Sequence, residues 1–195
     1  MYTELSLPPL SKQIKDYVSY VQSKYSDDRY FIKAKKFAEG NNPNINCAGC
    51  LYHTDYVLTY LLKKEFGNLF SEDFKGQLLQ FKNLNPSFST ASYPPHTDVG
   101  KALNINYVLD TGGPNVKTVF YDTPQFADTL DGITQPHQNL TTHTILHTEP
   151  NHWYMLDVKK LHSVESIDTC RTVLCLGFKS ISYNDFVIKY NSLLK

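Results

Sequence analysis

The hydrophobic period changes once along this chain, near residue 70, and that change limits the folds open to it. Before it, apolar residues recur at helical spacing: Ile14, Tyr17, Val18, Val21 and Tyr25, then Tyr56, Val57, Tyr60, Leu61 and Leu62. Residues three or four apart share a helix face, so two amphipathic helices are expected. The first begins after Ser11, which can cap it, and extends to about residue 37. Gly40-Asn-Asn-Pro-Asn44 reads as a loop. The second helix covers residues 54–66 and ends at Gly67. His53, just before it, reads as a surface or capping residue. After Glu72 strand formers and turn residues take over. Residues 183–194 are expected to form a closing helix. Helices first and strands afterwards indicate an α+β arrangement. At 195 residues the chain can bury one sizeable core and is short for two. The expectation is one domain over 1–195, with a helical part to about 70 and a strand-built core over about 72–180.

Within the strand-rich part, four polar residues stand out. His96 and Asp98 form an H-x-D, His162 follows Asp98 by 64 residues, and Arg171 follows His162 by nine. Alternate residues of a strand share a face, so His96 and Asp98 project together if this stretch is extended. Pro94 and Pro95 favour an extended entry. Two imidazoles and a carboxylate can occupy one triangular face of an octahedral metal and leave three positions open. That is the ligand set of non-haem Fe(II) oxygenases. A guanidinium is a planar fork that grips a carboxylate through two parallel bonds. On the run Arg171–Phe178, alternation places Arg171, Val173 and Cys175 on one face and Thr172, Leu174, Leu176 and Phe178 on the other. A short connection from Ser163 to Cys170 makes the two flanking strands antiparallel neighbours, with His162 and Arg171 facing one cavity. A metal face with a carboxylate clamp suits 2-oxoglutarate, which chelates at one end and presents a carboxylate at the other.

Three segments resemble the Fe(II)/2-oxoglutarate-dependent dioxygenases, in particular the prolyl-4-hydroxylase-like branch. Tyr93-Pro-Pro-His-Thr-Asp98 resembles its Tyr-x-x-His-x-Asp strand. Ile105-Asn-Tyr-Val-Leu-Asp-Thr-Gly-Gly113, then Thr118-Val-Phe120, resembles its apolar strand, Gly-Gly turn and Thr-x-Phe strand. His162-Ser-Val-Glu-Ser166, with Arg171 and Gly177-Phe178, resembles its distal histidine block. The resemblance implies a double-stranded β-helix, a jelly-roll relative, with flanking N-terminal helices. It implies iron ligands at His96, Asp98 and His162 and a 2-oxoglutarate clamp at Arg171. Tyr93 matches a position lining the same pocket. A tyrosine that often helps to bind the cosubstrate is replaced by Val108, with Asn106 or Asn104 as candidates to compensate. Ser166 departs from a proline of the family pattern. The activity implied is hydroxylation of a peptidyl or free amino-acid side chain. Fe(II), 2-oxoglutarate and O2 are the cofactors, with ascorbate as reductant and succinate and CO2 as products. The carboxylate at Asp98 disfavours halogenation, which needs that position for chloride. The alternative is a non-catalytic or 2-oxoglutarate-independent cupin-like metal-binding module. A nucleic-acid dealkylase of the same superfamily would carry a second arginine six residues beyond the first, where this chain has Gly177.

Composition narrows the partners. Nineteen basic residues balance nineteen acidic ones, and there is no basic run to match a nucleic-acid backbone, so such a partner is not expected. No apolar run approaches a membrane span and no leader is visible at Met1-Tyr-Thr-Glu-Leu, so a cytoplasmic location is expected. Cys47 and Cys50 form a lone C-x-x-C and read as reduced structural thiols. Residues 121–151 carry His137, His143, His147 and His152. They read as a substrate-covering lid, or as further strands with 141–147 extended.

Overall fold

A computed structural model describes residues 1–33, 46–122 and 140–195. The strands are β1 (Tyr2–Leu5), β2 (Ile32–Lys33), β3 (Gly49–His53), β4 (Phe74–Lys82), β5 (Ala91–His96) and β6 (Leu103–Asp110), followed by β7 (Lys117–Asp122), β8 (Thr141–His147), β9 (Trp153–Leu156), β10 (His162–Ile167) and β11 (Cys170–Phe178). The helices are α1 (Lys12–Lys24), α2 (Tyr56–Phe66) and α3 (Tyr183–Lys189), with 3-10 turns at Asp28–Tyr30 and Asn191–Leu193. A seven-stranded sheet runs β1-β9-β6-β11-β4-β3-β2, and a four-stranded sheet runs β5-β10-β7-β8. The paired strands in both are antiparallel. Two facing antiparallel sheets with helices on one outer side make the α+β jelly roll expected from the sequence.

The large sheet is buried on both faces, and alternation along β11 shows how. Leu174, Leu176 and Phe178 face the helices. There they join Ile105, Tyr107, Trp153 and Met155 from neighbouring strands, and Ile14, Val18, Leu58, Leu62, Phe66 and Phe186 from α1, α2 and α3. Val173 and Cys175 face the small sheet, in a second core with Leu79, Phe81, Tyr93, Phe120, Val164 and Ile167. Each large side chain in these layers contributes about 1.5–3 kcal/mol by leaving water. The small sheet therefore rests on one face of a sheet already fixed by the helices behind it.

Five expectations need correction, one of them a pairing: residues 163–170, expected to connect two antiparallel neighbours, carry most of β10, and β10 and β11 lie in different sheets. The first helix stops at Lys24, well short of residue 37. Asp27 then accepts from the Arg29 N–H and starts a turn, because a short acidic side chain competes with helical bonding. Ile32–Lys33 of that span form β2, and residues 34–37, like the Gly40–Asn44 loop, lie outside the described residues. Second, α2 starts at Tyr56, where Asp55 caps it by accepting from Leu58 N; His53 supports the cap through Asp55 at 2.6 Å. Third, the part before residue 70 is not only helical, since β1, β2 and β3 all belong to the large sheet. Fourth, the closing helix ends at Lys189 and a 3-10 turn follows. Of the two readings for residues 121–151, Thr141–His147 is extended and pairs with β7. Residues 123–139 of the lid reading, His137 included, fall outside the described residues. No helix among the described residues is long and apolar enough to cross a membrane.

Candidate metal centre

Strand pairing brings the two histidines together. His96 ends β5 and His162 begins β10, and they are direct partners in the ladder. Their rings lie 4.3 Å apart between centroids. Each ring is tethered in the same way: Nδ1 meets the carbonyl oxygen two residues back, Pro94 O at 2.8 Å and Lys160 O at 2.9 Å. A carbonyl only accepts, so each Nδ1 carries the proton and each Nε2 keeps its lone pair free. Asp98 arrives differently from the expected continuous strand. β5 stops at His96, and Asp98 sits just beyond, where its N–H donates to Val158 O at 3.0 Å. Its Oδ1 lies 3.5 Å from His96 Nε2 and 4.0 Å from His162 Nε2. One ligand atom from each residue falls within 4.8 Å of the others. Two imidazole nitrogens and a carboxylate oxygen this close together could hold one ion between them.

Electrostatics prepare the same three groups. Burial holds both imidazoles below their ordinary range, His162 down to about 4 despite the pull of Asp98. Both are therefore neutral near pH 7, the form that ligates. Burial opposes ionisation of Asp98. His162, His96, Lys101 and the Asn104 amide outweigh it and keep the carboxyl below its usual value. Two neutral nitrogens and one anionic oxygen are a donor set suited to a first-row divalent ion.

Arg171 lies on the β11 face turned toward the small sheet and is 3% exposed. Its Nη1 donates to Thr148 Oγ1 at 2.9 Å. Among the described residues no carboxylate lies within ion-pair distance of it. Burial lowers it to about 10 against the opposing influence of Tyr154, which still leaves a cation near neutral pH. An unpaired buried charge costs several kcal/mol, so a guanidinium held this way is arranged for an anion. The Gly-Gly turn seats it. Gly112 has φ +81°, and a Cβ there would meet Arg171 N at 2.6 Å. Gly112 O also accepts from Asp168 N and Thr169 N, fixing the start of β11.

The triad and Arg171 open into one cavity, walled by apolar side chains including Leu79, Leu156 and Val164. Asn106 also lines it, with Oδ1 buried and unpartnered. A buried acceptor without a donor marks a place for a further group.

No protein-family model and no curated protein sequence matches the chain. Solved structures do. The non-haem α-ketoglutarate-dependent epimerase SnoN from nogalamycin biosynthesis superposes with a TM-score of 0.51 at 12% identity, over 92% of this chain and 75% of that one. A Trichoplax adhaerens prolyl hydroxylase, solved with a hypoxia inducible factor peptide, also gives 0.51 at 10% identity, over 92% and 83%. The chain shares the jelly-roll fold of these two structures.

Within that fold, most of the expected site residues reach the cavity: His96, Asp98, His162, Arg171 and Asn106 all line it. Tyr93 does not, which corrects the expectation that it lines the pocket. Its hydroxyl accepts from Tyr52 at 3.0 Å and its ring stands edge-on to His96 at 4.8 Å, so it props the imidazole from behind. Tyr52 takes the place on the wall. Asn104 lines the cavity and also donates to Asp98 Oδ2 at 2.7 Å. Val108 is packed in the core between the sheets. Sequence reasoning missed Tyr52, Thr148 and Lys101. Their partners lie tens of residues away or across a turn, and no local spacing announces them. Cys50 is buried and its thiol is pushed well up by desolvation, as for a packing residue.

Proposed function

We propose that this protein is a non-haem Fe(II)- and 2-oxoglutarate-dependent dioxygenase that hydroxylates a peptidyl or free amino-acid side chain. The observation that carries the reading is one cavity walled by two neutral imidazoles, a carboxylate and a buried guanidinium that pairs with no carboxylate among the described residues. His96, Asp98 and His162 would hold the iron. When bound, iron with 2-oxoglutarate supplies O2 activation, the cosubstrate leaving as succinate and CO2. Arg171 would grip the far carboxylate of 2-oxoglutarate, and Thr148, accepting from Nη1, orients the fork. The amide of Asn106 offers an unused hydrogen-bonding oxygen to a donor in the cavity. The apolar walls exclude water and strengthen each of these polar contacts. Asp98 fills the position a halogenase leaves for chloride, which favours hydroxyl transfer. SnoN, an α-ketoglutarate-dependent epimerase, supports the choice of cosubstrate, and the Trichoplax prolyl hydroxylase, solved with a peptide, supports the choice of reaction. The rival, a cupin-like module indifferent to 2-oxoglutarate, leaves the buried charge of Arg171 unexplained.

The test is turnover. Protein supplied with Fe(II), 2-oxoglutarate and ascorbate is screened against free amino acids and peptide pools for succinate release. His162→Ala should reduce release to background. Succinate formation that persists unchanged in His162→Ala contradicts the proposal.

A further inference from the structure

The two oxygens of the Asp98 carboxylate have different surroundings. Oδ1 faces the imidazoles, at 3.5 Å and 4.0 Å from their Nε2 atoms. Oδ2 accepts from Asn104 Nδ2 at 2.7 Å and lies 3.5 Å from Lys101 Nζ. Lys101 is built into the fold. Its side chain is 17% exposed, and its stem lies over Gly177, where a Cβ would meet Cδ and Cε at 3.3 Å. Gly177 stands opposite Asn104 in the β6–β11 register, and the same Cβ would come within 3.4 Å of Asn104 Oδ1. One bare position thus makes room for both partners of Oδ2. Among the described residues, Asp98 is the carboxylate with which the Lys101 ammonium pairs. A mostly buried cation needs such a partner.

We propose that Lys101, together with Asn104, is a positioning residue of the metal centre. By holding Oδ2 the two leave Oδ1 alone to ligate, so that Asp98 binds through one oxygen. This rests on the metal reading above. A carboxylate with both oxygens free can chelate through both, as in calcium sites. Tied at Oδ2, it occupies one position and keeps the others open for cosubstrate and O2.

Affinity is a poor readout, since removing the ammonium relieves its repulsion of the ion and also frees the carboxylate. Coordination geometry escapes that cancellation. Co(II) alone is the probe, with visible d–d absorption read for the natural protein, Lys101→Met and Lys101→Arg. The expected result is a shift in band position and intensity in K101M that K101R restores. A K101M spectrum superposable on that of the natural protein overturns the proposal, as does a K101R spectrum as altered as that of K101M. Should K101M fail to fold, judged by near-ultraviolet circular dichroism of Trp153, Lys101→Leu, which likewise lacks a donor, is read in its place by the same criteria. His162→Ala is the control for the underlying reading. If the natural protein binds no Co(II), or H162A keeps its spectrum, the metal assignment itself falls.

Discussion

Two imidazoles tied at Nδ1 to backbone carbonyls, Pro94 O and Lys160 O, present bare Nε2 atoms without an induced change. Removing either ring takes away one of the three candidate donors and opens space beside the buried Asp98 carboxylate. The depressed imidazoles also make a statement about stability. An unfolded imidazole titrates near about 6.5, whereas burial holds His96 lower and His162 at about 4. The folded state disfavours the proton, so this contribution is whole above about pH 6.5 and is lost as pH falls toward 4. Urea midpoints of the metal-free protein should therefore decline between pH 7 and pH 4.5, and a midpoint constant over that range counts against buried neutral rings. Arg171 carries the second residue-scale prediction. Arg171→Met keeps the volume and deletes the charge. It should weaken 2-oxoglutarate binding by about ten- to a hundredfold, the equivalent of roughly 1.5–3 kcal/mol for a charge-assisted bond. Unchanged binding would separate the guanidinium from the cosubstrate.

At the level of elements, the turn between β6 and β7 is worth a direct test. Gly112 adopts φ +81° with Arg171 N where a Cβ would stand. Gly112→Ala should destabilise the fold by more than about 1 kcal/mol. It should also raise the 2-oxoglutarate requirement, because β11 must shift and carries Arg171 with it. A loss of thermal stability with intact cosubstrate binding would show the turn to be structural only. The start of α2 is the second such joint. Asp55 accepts from Leu58 N at 2.6 Å, from Tyr17 of α1, and meets His53 at 2.6 Å. Asp55→Ala should cost about 1–2 kcal/mol in chemical denaturation, typical of a lost cap. It leaves succinate formation per folded molecule unchanged, since α2 lies behind the large sheet. Legibility differs between such elements for physical reasons. Alternation along β11 is forced by burial on both faces, so its two side-chain sets are readable from residue order. The end of α1 is not, because the helical spacing continues through Tyr25 while Asp27 starts a competing turn.

Taken whole, the molecule is a small sheet laid on a large one, with the helices fixing the far side and the cavity between the sheets. The strand-rich half, the jelly roll and the four residues that converge were legible because each rests on a short motif in an extended context. Three contacts around the site were hidden. Thr148 meets Arg171 across 23 residues, Tyr52 meets Tyr93 across 41, and Lys101 reaches Asp98 across a turn. Such contacts depend on how the sheets close, which no local pattern encodes. The same closure explains why Tyr93 lies behind His96, with its hydroxyl taken by Tyr52.

Metal and cosubstrate in one cavity must be thermodynamically linked, since a ligand that chelates the ion binds more tightly when the ion is present. Calorimetric titration of 2-oxoglutarate into protein with and without Mn(II), under nitrogen, measures that linkage. The expected outcome is one site per chain, at least tenfold tighter with Mn(II), with the gain abolished by His96→Ala. Equal affinity with and without the ion, or a gain that survives His96→Ala, would contradict a shared metal and keto-acid centre.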